Sequence, residues 1–171
     1  MNYFELFNIP KKFKINKNLL SKNYYQLQLK FHPDLFINHS SFEKKIALKK
    51  SIEINKGYNT LKNFLSRAIY LLNLYNFKIK KEVILLKNND FLIQYFSLYE
   101  ELDFLKKNSF QKFQVNFFFE KIEKKIKKYE KKIEIEFKNK NFEKVVQIIA
   151  RLLFLKKIKL TLRKEQNMYL R

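Results

Sequence analysis

One glycine among 171 residues restricts what this chain can build more than any other feature does. Glycine supplies the positive-φ positions of tight hairpins and the bare backbone that lies against phosphate. Two-residue β-hairpins therefore lack their preferred turn residue, and glycine-rich phosphate loops and dinucleotide fingerprints are excluded. With only two prolines, collagen-like and Pro-rich chains are excluded as well. An all-α fold is expected. A chain this long buries about 70% of its unfolded surface, and 46% of its residues are hydrophobic, so the core needs no staple. The absence of Cys removes disulfides, thiolate zinc sites, cysteine nucleophiles and Cys-ligated clusters. No cofactor, no metal and no oxidising compartment is expected.

Thirty-seven Lys and Arg against 16 Asp and Glu leave a formal charge of +21. Such a balance suits nucleic acid or an anionic membrane, because Lys and Arg displace counterions from polyanions. The excess falls on Lys, Asn, Ile, Phe and Tyr together, however, and all five have AT-rich codons. Mutational bias explains the charge more simply than a polyanion does. A basic helical nucleic-acid-binding protein remains the alternative, resting on this charge and on Lys interleaved with aromatics over 120–142. Apolar runs are short and broken by Lys before the roughly 18 residues of a membrane span. The start carries Glu5 and no Lys before Lys11, which fits neither a signal nor a transit peptide. A cytoplasmic protein with no membrane partner and no specific nucleic acid is expected.

Apolar periodicity divides the chain. Tyr3 to Phe7 is a short cluster ended by Pro10. From Asn18, Leu20, Tyr24, Leu27 and Phe31 mark one helix face, and Pro33 stops that helix by driving His32 out of the α region. Ser40 or Ser41 is placed to cap a second helix, with Ile46, Ile52 or Glu53, Tyr58 and Leu61 as its face. Gly57 inside it costs about 1 kcal/mol relative to Ala. A further helix spans Phe64 to Leu74. Residues 76–89 look like a linker. Three long helices follow: Asp90–Lys107 with Phe91, Tyr95, Leu98, Leu102 and Leu105; Phe110–Phe137 with Phe113, Phe117, Ile122, Ile126, Tyr129 and Ile133; and Phe142–Leu162 with Val145, Ile149, Leu152 and Leu155. Phe117, Phe118 and Phe119 read most simply as core. Short connections favour an antiparallel three-helix bundle.

One motif stands out, His32-Pro33-Asp34, at the tip of a helical pair. Taken alone it is also what a helix-ending proline beside a turn aspartate looks like. An acid–base role for His32 and Asp34 would need a second polar cluster around a pocket, and none is evident, so no enzyme is expected. His39 reads as a solvated loop residue. On the next unit, Leu92, Ile93 and Phe96 lie about 100° or more from the Phe91 stripe, which suggests an exposed apolar patch of the kind that often marks a partner site.

The chain resembles the J-domain co-chaperones of iron–sulfur cluster assembly along essentially its whole length. The residues that carry this are Tyr3-Phe4-Glu5-Leu6-Phe7, Leu27-Gln28 before His32-Pro33-Asp34, Ile54-Asn55 with Tyr58, Thr60 and Leu61, Arg67-Ala68, and Tyr70-Leu71-Leu72. Phe91-Leu92, Glu100-Glu101-Leu102-Asp103, Arg151-Leu152 and Phe154-Leu155 continue it. The resemblance implies a J-domain at 1–75, a linker at 76–89 and a scaffold-binding three-helix bundle at 90–171. It further implies that His32, Pro33 and Asp34, with Lys22 and Lys30, engage a DnaK-type (HscA-like) ATPase chaperone and stimulate ATP hydrolysis. It assigns the iron–sulfur cluster scaffold protein (IscU-like) to Leu92, Ile93, Phe96, Glu100 and Phe154. Leu29 and Leu35 stand where basic residues are common in the family, Ser97 and Tyr99 where charged ones are, and Phe64 where proline is.

Overall fold

The computed structural model describes residues 1–79, 89–108 and 111–169, and over these the chain is helical without a strand. It divides into two compact units, Met1–Asn76 and Phe77–Arg171. Most of the expected linker lies outside the described residues, as does the expected start of a helix at Phe110. No helix among the described residues is long and apolar enough to cross a membrane.

In the first unit, α1 (Tyr3–Leu6) begins at a capping box: Asn2 accepts from the Phe4 and Glu5 amides while Glu5 reaches back to the Asn2 amide. Asn16 caps α2 (Lys17–Phe31) through the Leu19 amide at 3.0 Å. Pro33 ends α2 as expected, and residues Pro33–Phe36 wind into one 3-10 turn that periodicity alone does not announce. Ser40 caps α3 (Ser41–Lys62), and Glu43 completes a second capping box. Asn63 both ends α3 and caps α4 (Phe64–Leu74).

The helical pair α2–α3 and the short α1 enclose Phe4, Phe7, Leu20, Ile54, Leu61 and Leu72, all fully buried. On α3 the buried residues are Ala47, Ser51, Ile54, Gly57 and Leu61, whereas Ile46 and Ile52 are exposed. The expected face of α3 is thus corrected. The seam sets the small Ala47, Ser51 and Gly57 between Ile54 and the expected Leu61, which lets its neighbours come close, and Ile46 and Ile52 point away from it.

Gly57 shows this most directly. A Cβ there would lie 2.9 Å from Cδ1 of Tyr3 and 3.0 Å from Cε2 of Phe7. The single glycine serves close helix approach and not backbone freedom, for its φ is not positive. The left-handed positions fall to Asn8, Asn76 and Lys140, and Asn is the residue after Gly that tolerates that region best.

The second unit contains α5 (Asn89–Lys107), α6 (Lys112–Lys138) and α7 (Phe142–Tyr169). Phe91, Leu98, Leu102 and Leu105 of α5 are buried as expected, with Tyr95 partly so. Ile122, Ile126 and Ile133 of α6 and Val145, Ile149, Leu152 and Leu155 of α7 are buried too. At the start of α6 the face differs from expectation. Phe113 (82% exposed) and Phe117 point outward, and Val115 and Phe118 turn inward. Of the run Phe117-Phe118-Phe119, only Phe118 is fully core. Ion pairs tie the helices at their margins, Lys121 to Glu101 at 2.6 Å and Lys106 to Glu165 at 3.7 Å.

Candidate functional site

The loop between α2 and α3 is held by its own local chemistry. His32 leaves the helix with ψ of 131°, the extended conformation that a following proline imposes. Its carbonyl accepts the Leu35 amide at 3.0 Å. Its Nδ1 accepts the Asp34 amide at 3.3 Å, as a cap of the 3-10 turn. The Asp34 carboxylate lies 3.6 Å from the same Nδ1. The Asp34 side chain is 79% exposed. The turn therefore presents an exposed carboxylate on a backbone held by local hydrogen bonds.

Behind the loop the helical pair is clamped. Tyr24 Oη and Gln28 Nε2 both donate to Asn55 Oδ1 at 2.8 Å, and the rings of Tyr24 and Tyr58 stack at 4.0 Å. Lys22 and Lys30 stand exposed on α2, with the Lys30 ammonium 5.4 Å over the Phe31 ring. Leu29 lies exposed on the same helix, and Leu35, Ile37 and Phe42 are exposed around the loop. Of these four, sequence reasoning singled out only Leu29 and Leu35. The available signal for Ile37 and Phe42 was their place in and just after a polar turn, where no seam exists to cover them.

On α5, Ile93 (68%) and Phe96 (60%) are exposed, Leu92 is half-buried and Glu100 is exposed. These four share the outer side of the helix. Phe154 is placed differently from its expected role at this surface. It is 8% exposed, with its ring centroid 3.9 Å from that of Tyr95, 5.7 Å from Phe91 and 5.8 Å from Tyr99. It lies beneath the patch and supports it. Burial pushes the Tyr95 hydroxyl above its ordinary value, and a hydrogen bond with Tyr99 adds to the shift. Tyr99, which stands where charge was expected, is thus part of this aromatic layer.

A helical pair offering an exposed His-Pro-Asp turn, followed in one chain by a three-helix unit, defines a J-domain co-chaperone. The comparisons with known proteins agree. The family described as HSCB C-terminal oligomerisation domain matches residues 87–163. The co-chaperone protein HscB of Buchnera aphidicola subsp. Acyrthosiphon pisum (strain Tuc7) is 62% identical over 171 residues, spanning 100% of this chain and 98% of that protein. Among solved structures, the chaperone HscB from Vibrio cholerae superposes with a TM-score of 0.85 at 28% identity over 99% of each chain. The human co-chaperone protein HscB gives 0.88 at 25% identity, over 97% of this chain and 82% of that one. This chain belongs to the HscB co-chaperone family.

Proposed function

We propose that this chain couples an iron–sulfur cluster scaffold protein (IscU-like) to a DnaK-type (HscA-like) chaperone and stimulates that chaperone's ATP hydrolysis. The observation that carries this reading is the exposed Asp34 carboxylate held at the apex of a clamped helical pair. A carboxylate in that setting suits a charge-assisted hydrogen bond to a cationic group of the chaperone. His32 and Pro33 shape the turn that aims it. Lys22 and Lys30 add positive field toward an acidic surface, and Leu29 and Leu35 substitute apolar area for part of that field.

The scaffold protein meets the outer side of α5. Ile93 and Phe96 supply exposed apolar area, Leu92 its flank and Glu100 a polar margin, while Phe154 backs the surface from within. Apolar anchors bordered by polar groups are the usual anatomy of such contacts.

Two measurements test the two halves separately. In a steady-state ATPase assay with the cognate chaperone, Asp34→Asn should abolish stimulation with the fold intact; undiminished stimulation would remove this loop from the mechanism. In calorimetry with the scaffold protein, Leu92→Ala with Phe96→Ala should weaken binding by about tenfold or more, the loss expected of an interface hot spot. Equal affinity in that double variant would place the contact elsewhere.

A further inference from the structure

The two sides of the α6–α7 seam differ in how their cations are held. On one side, a cleft of about 330 Å³ contains Glu123 paired with Lys159 and Glu130 3.5 Å from Lys156. On the other, α5, α6 and α7 enclose a cleft of about 420 Å³ in which Lys125, Lys128, Lys132 and Arg151 face a single carboxylate, Asp90. No carboxylate among the described residues lies within ion-pair distance of any of these four cations. A cleft of about 300 Å³ continues the 420 Å³ one, sharing Tyr129, Lys132 and Arg151 and adding Lys144 and Glu136 with the apolar Ile135 and Ile148.

Sequence spacing explains the imbalance. The helical neighbours of Lys128 at three and four residues are Lys124, Lys125, Lys131 and Lys132, so no carboxylate on its own helix can reach it. Glu136 is spaced to reach Lys132 but accepts instead from Asn141 Nδ2 at 2.7 Å. Arg151 is steadied from the groove wall, its guanidinium 5.4 Å over the Phe91 ring. Like charges at these spacings weaken a helix, and here they line a concavity.

We infer that this groove binds an acidic segment of a protein partner, with carboxylates on Lys125, Lys128, Lys132 and Arg151 and an apolar side chain against Ile135 and Ile148. Charge complementarity selects an anion. The run from Lys125 to Lys132 spans about 10 Å along α6, room for successive acidic side chains. Nucleic acid fits less well, because single strands are held largely by stacking on open aromatic rings. Phe91 is buried here and Tyr129 half-buried. The groove is separate from the proposed scaffold surface. Gln94, which lines it, is two residues from both Leu92 and Phe96 and so about 160° around the helix from each. The inference therefore stands independently of the proposed function.

Fluorescence anisotropy on the full chain tests it, with a labelled peptide of repeating Glu-Glu-Leu and a thymidine oligonucleotide of equal charge. Lys128→Gln with Lys132→Gln should weaken peptide binding about tenfold or more. Lys124→Gln with Lys131→Gln, on the outward face of the same helix with the same change in net charge, should leave it within about twofold. Circular dichroism confirms that both variants keep their helices. Equal losses in the two variants would mean that net charge alone attracts the peptide, and would overturn the assignment. Tighter binding of the oligonucleotide than of the peptide at equal salt would overturn it as well.

Discussion

At the scale of single residues, two positions of the first unit decide more than their number suggests. A Cβ on Gly57 would lie 2.9 Å from the Tyr3 ring, closer than real Cβ atoms approach, and 3.0 Å from the Phe7 ring. Neither ring has an easy escape: Phe7 is fully buried, and Tyr3 is stacked on Tyr70 at 4.7 Å and donates its amide to the Tyr70 hydroxyl. Gly57→Ala would gain about 1 kcal/mol of helix propensity against about 1–3 kcal/mol of overpacking. The clash should win, giving a variant less stable by about 1 kcal/mol in urea denaturation; a stabilised variant would mean that α1 moves aside freely. Arg67 is almost wholly buried. It donates to the carbonyls of Phe13 at 2.9 Å and Leu61 at 2.6 Å, tying the loop before α2 to the end of α3. Arg67→Met should cost about 2–4 kcal/mol, since two buried carbonyls lose a charged donor. Arg67→Lys should recover only part of this in the same titration, because an ammonium does not span both acceptors. Full recovery with Lys would show that charge, not the planar fork, is what the site needs.

At the scale of elements, the start of α3 links the proposed chaperone loop to the helix that supports it. Ser40→Ala should cost about 1 kcal/mol, the usual loss for a serine cap, measured by thermal unfolding. The other half of the box responds to pH. The hydrogen bond from the Ser40 side chain, then that from its backbone, then contact with His39 hold the Glu43 carboxyl below its usual value of 4.5. A depressed carboxyl pKa means that its contribution is complete above about pH 4.5 and is lost as pH falls through the lower folded value. Protection of the amides at residues 40–44, each exchange rate taken relative to its intrinsic rate at that pH, should therefore fall on acidification below that point. Protection unchanged down to pH 3 would show that the box contributes nothing there. Boundaries such as this one were legible because they rest on local chemistry, Pro33 for the end of α2 and Ser40 for the start of α3. The 3-10 turn between them was not, because His32 makes it by an internal hydrogen bond that leaves no periodic trace. Faces were legible where large apolar residues recur at helical spacing, as on α2, α5 and α7. They were misread in part on α3, where Ala47, Ser51 and Gly57 join Ile54 and the expected Leu61 in the seam, and at the start of α6, where Phe113 and Phe117 lie outward while Val115 and Phe118 carry the packing. The outward Ile93 and Phe96 were readable from their angle to the Phe91 stripe. The burial of Phe154 was not, since it depends on α5 closing Phe91, Tyr95 and Tyr99 over α7.

At the scale of the whole molecule, a formal charge of +21 on 171 residues sets a condition on folding that no single contact repairs. Compaction brings like charges together, and net charge far from zero destabilises the folded state by self-repulsion. The Lys–carboxylate pairs of the second unit offset this only locally, two of them along one side of the α6–α7 seam, while in the groove opposite four cations face the single carboxylate of Asp90. Added salt should then act in a definite direction. The screening length falls from about 30 Å at 0.01 M to about 10 Å at 0.1 M, which weakens distant repulsions before it weakens contact pairs. Sodium chloride suits the test, since sulfate would also strengthen apolar burial. If screening relieves about 1 kcal/mol, the unfolding midpoint followed by helicity should rise by roughly 2–4 °C over that range. The Lys128→Gln with Lys132→Gln variant should begin from a higher midpoint and show a shallower salt response, because part of the repulsion is already gone. A parent midpoint that stays level or falls with salt would mean that attraction between neighbouring charges outweighs the excess, and that the lysines are far better partnered than the short carboxylate supply implies.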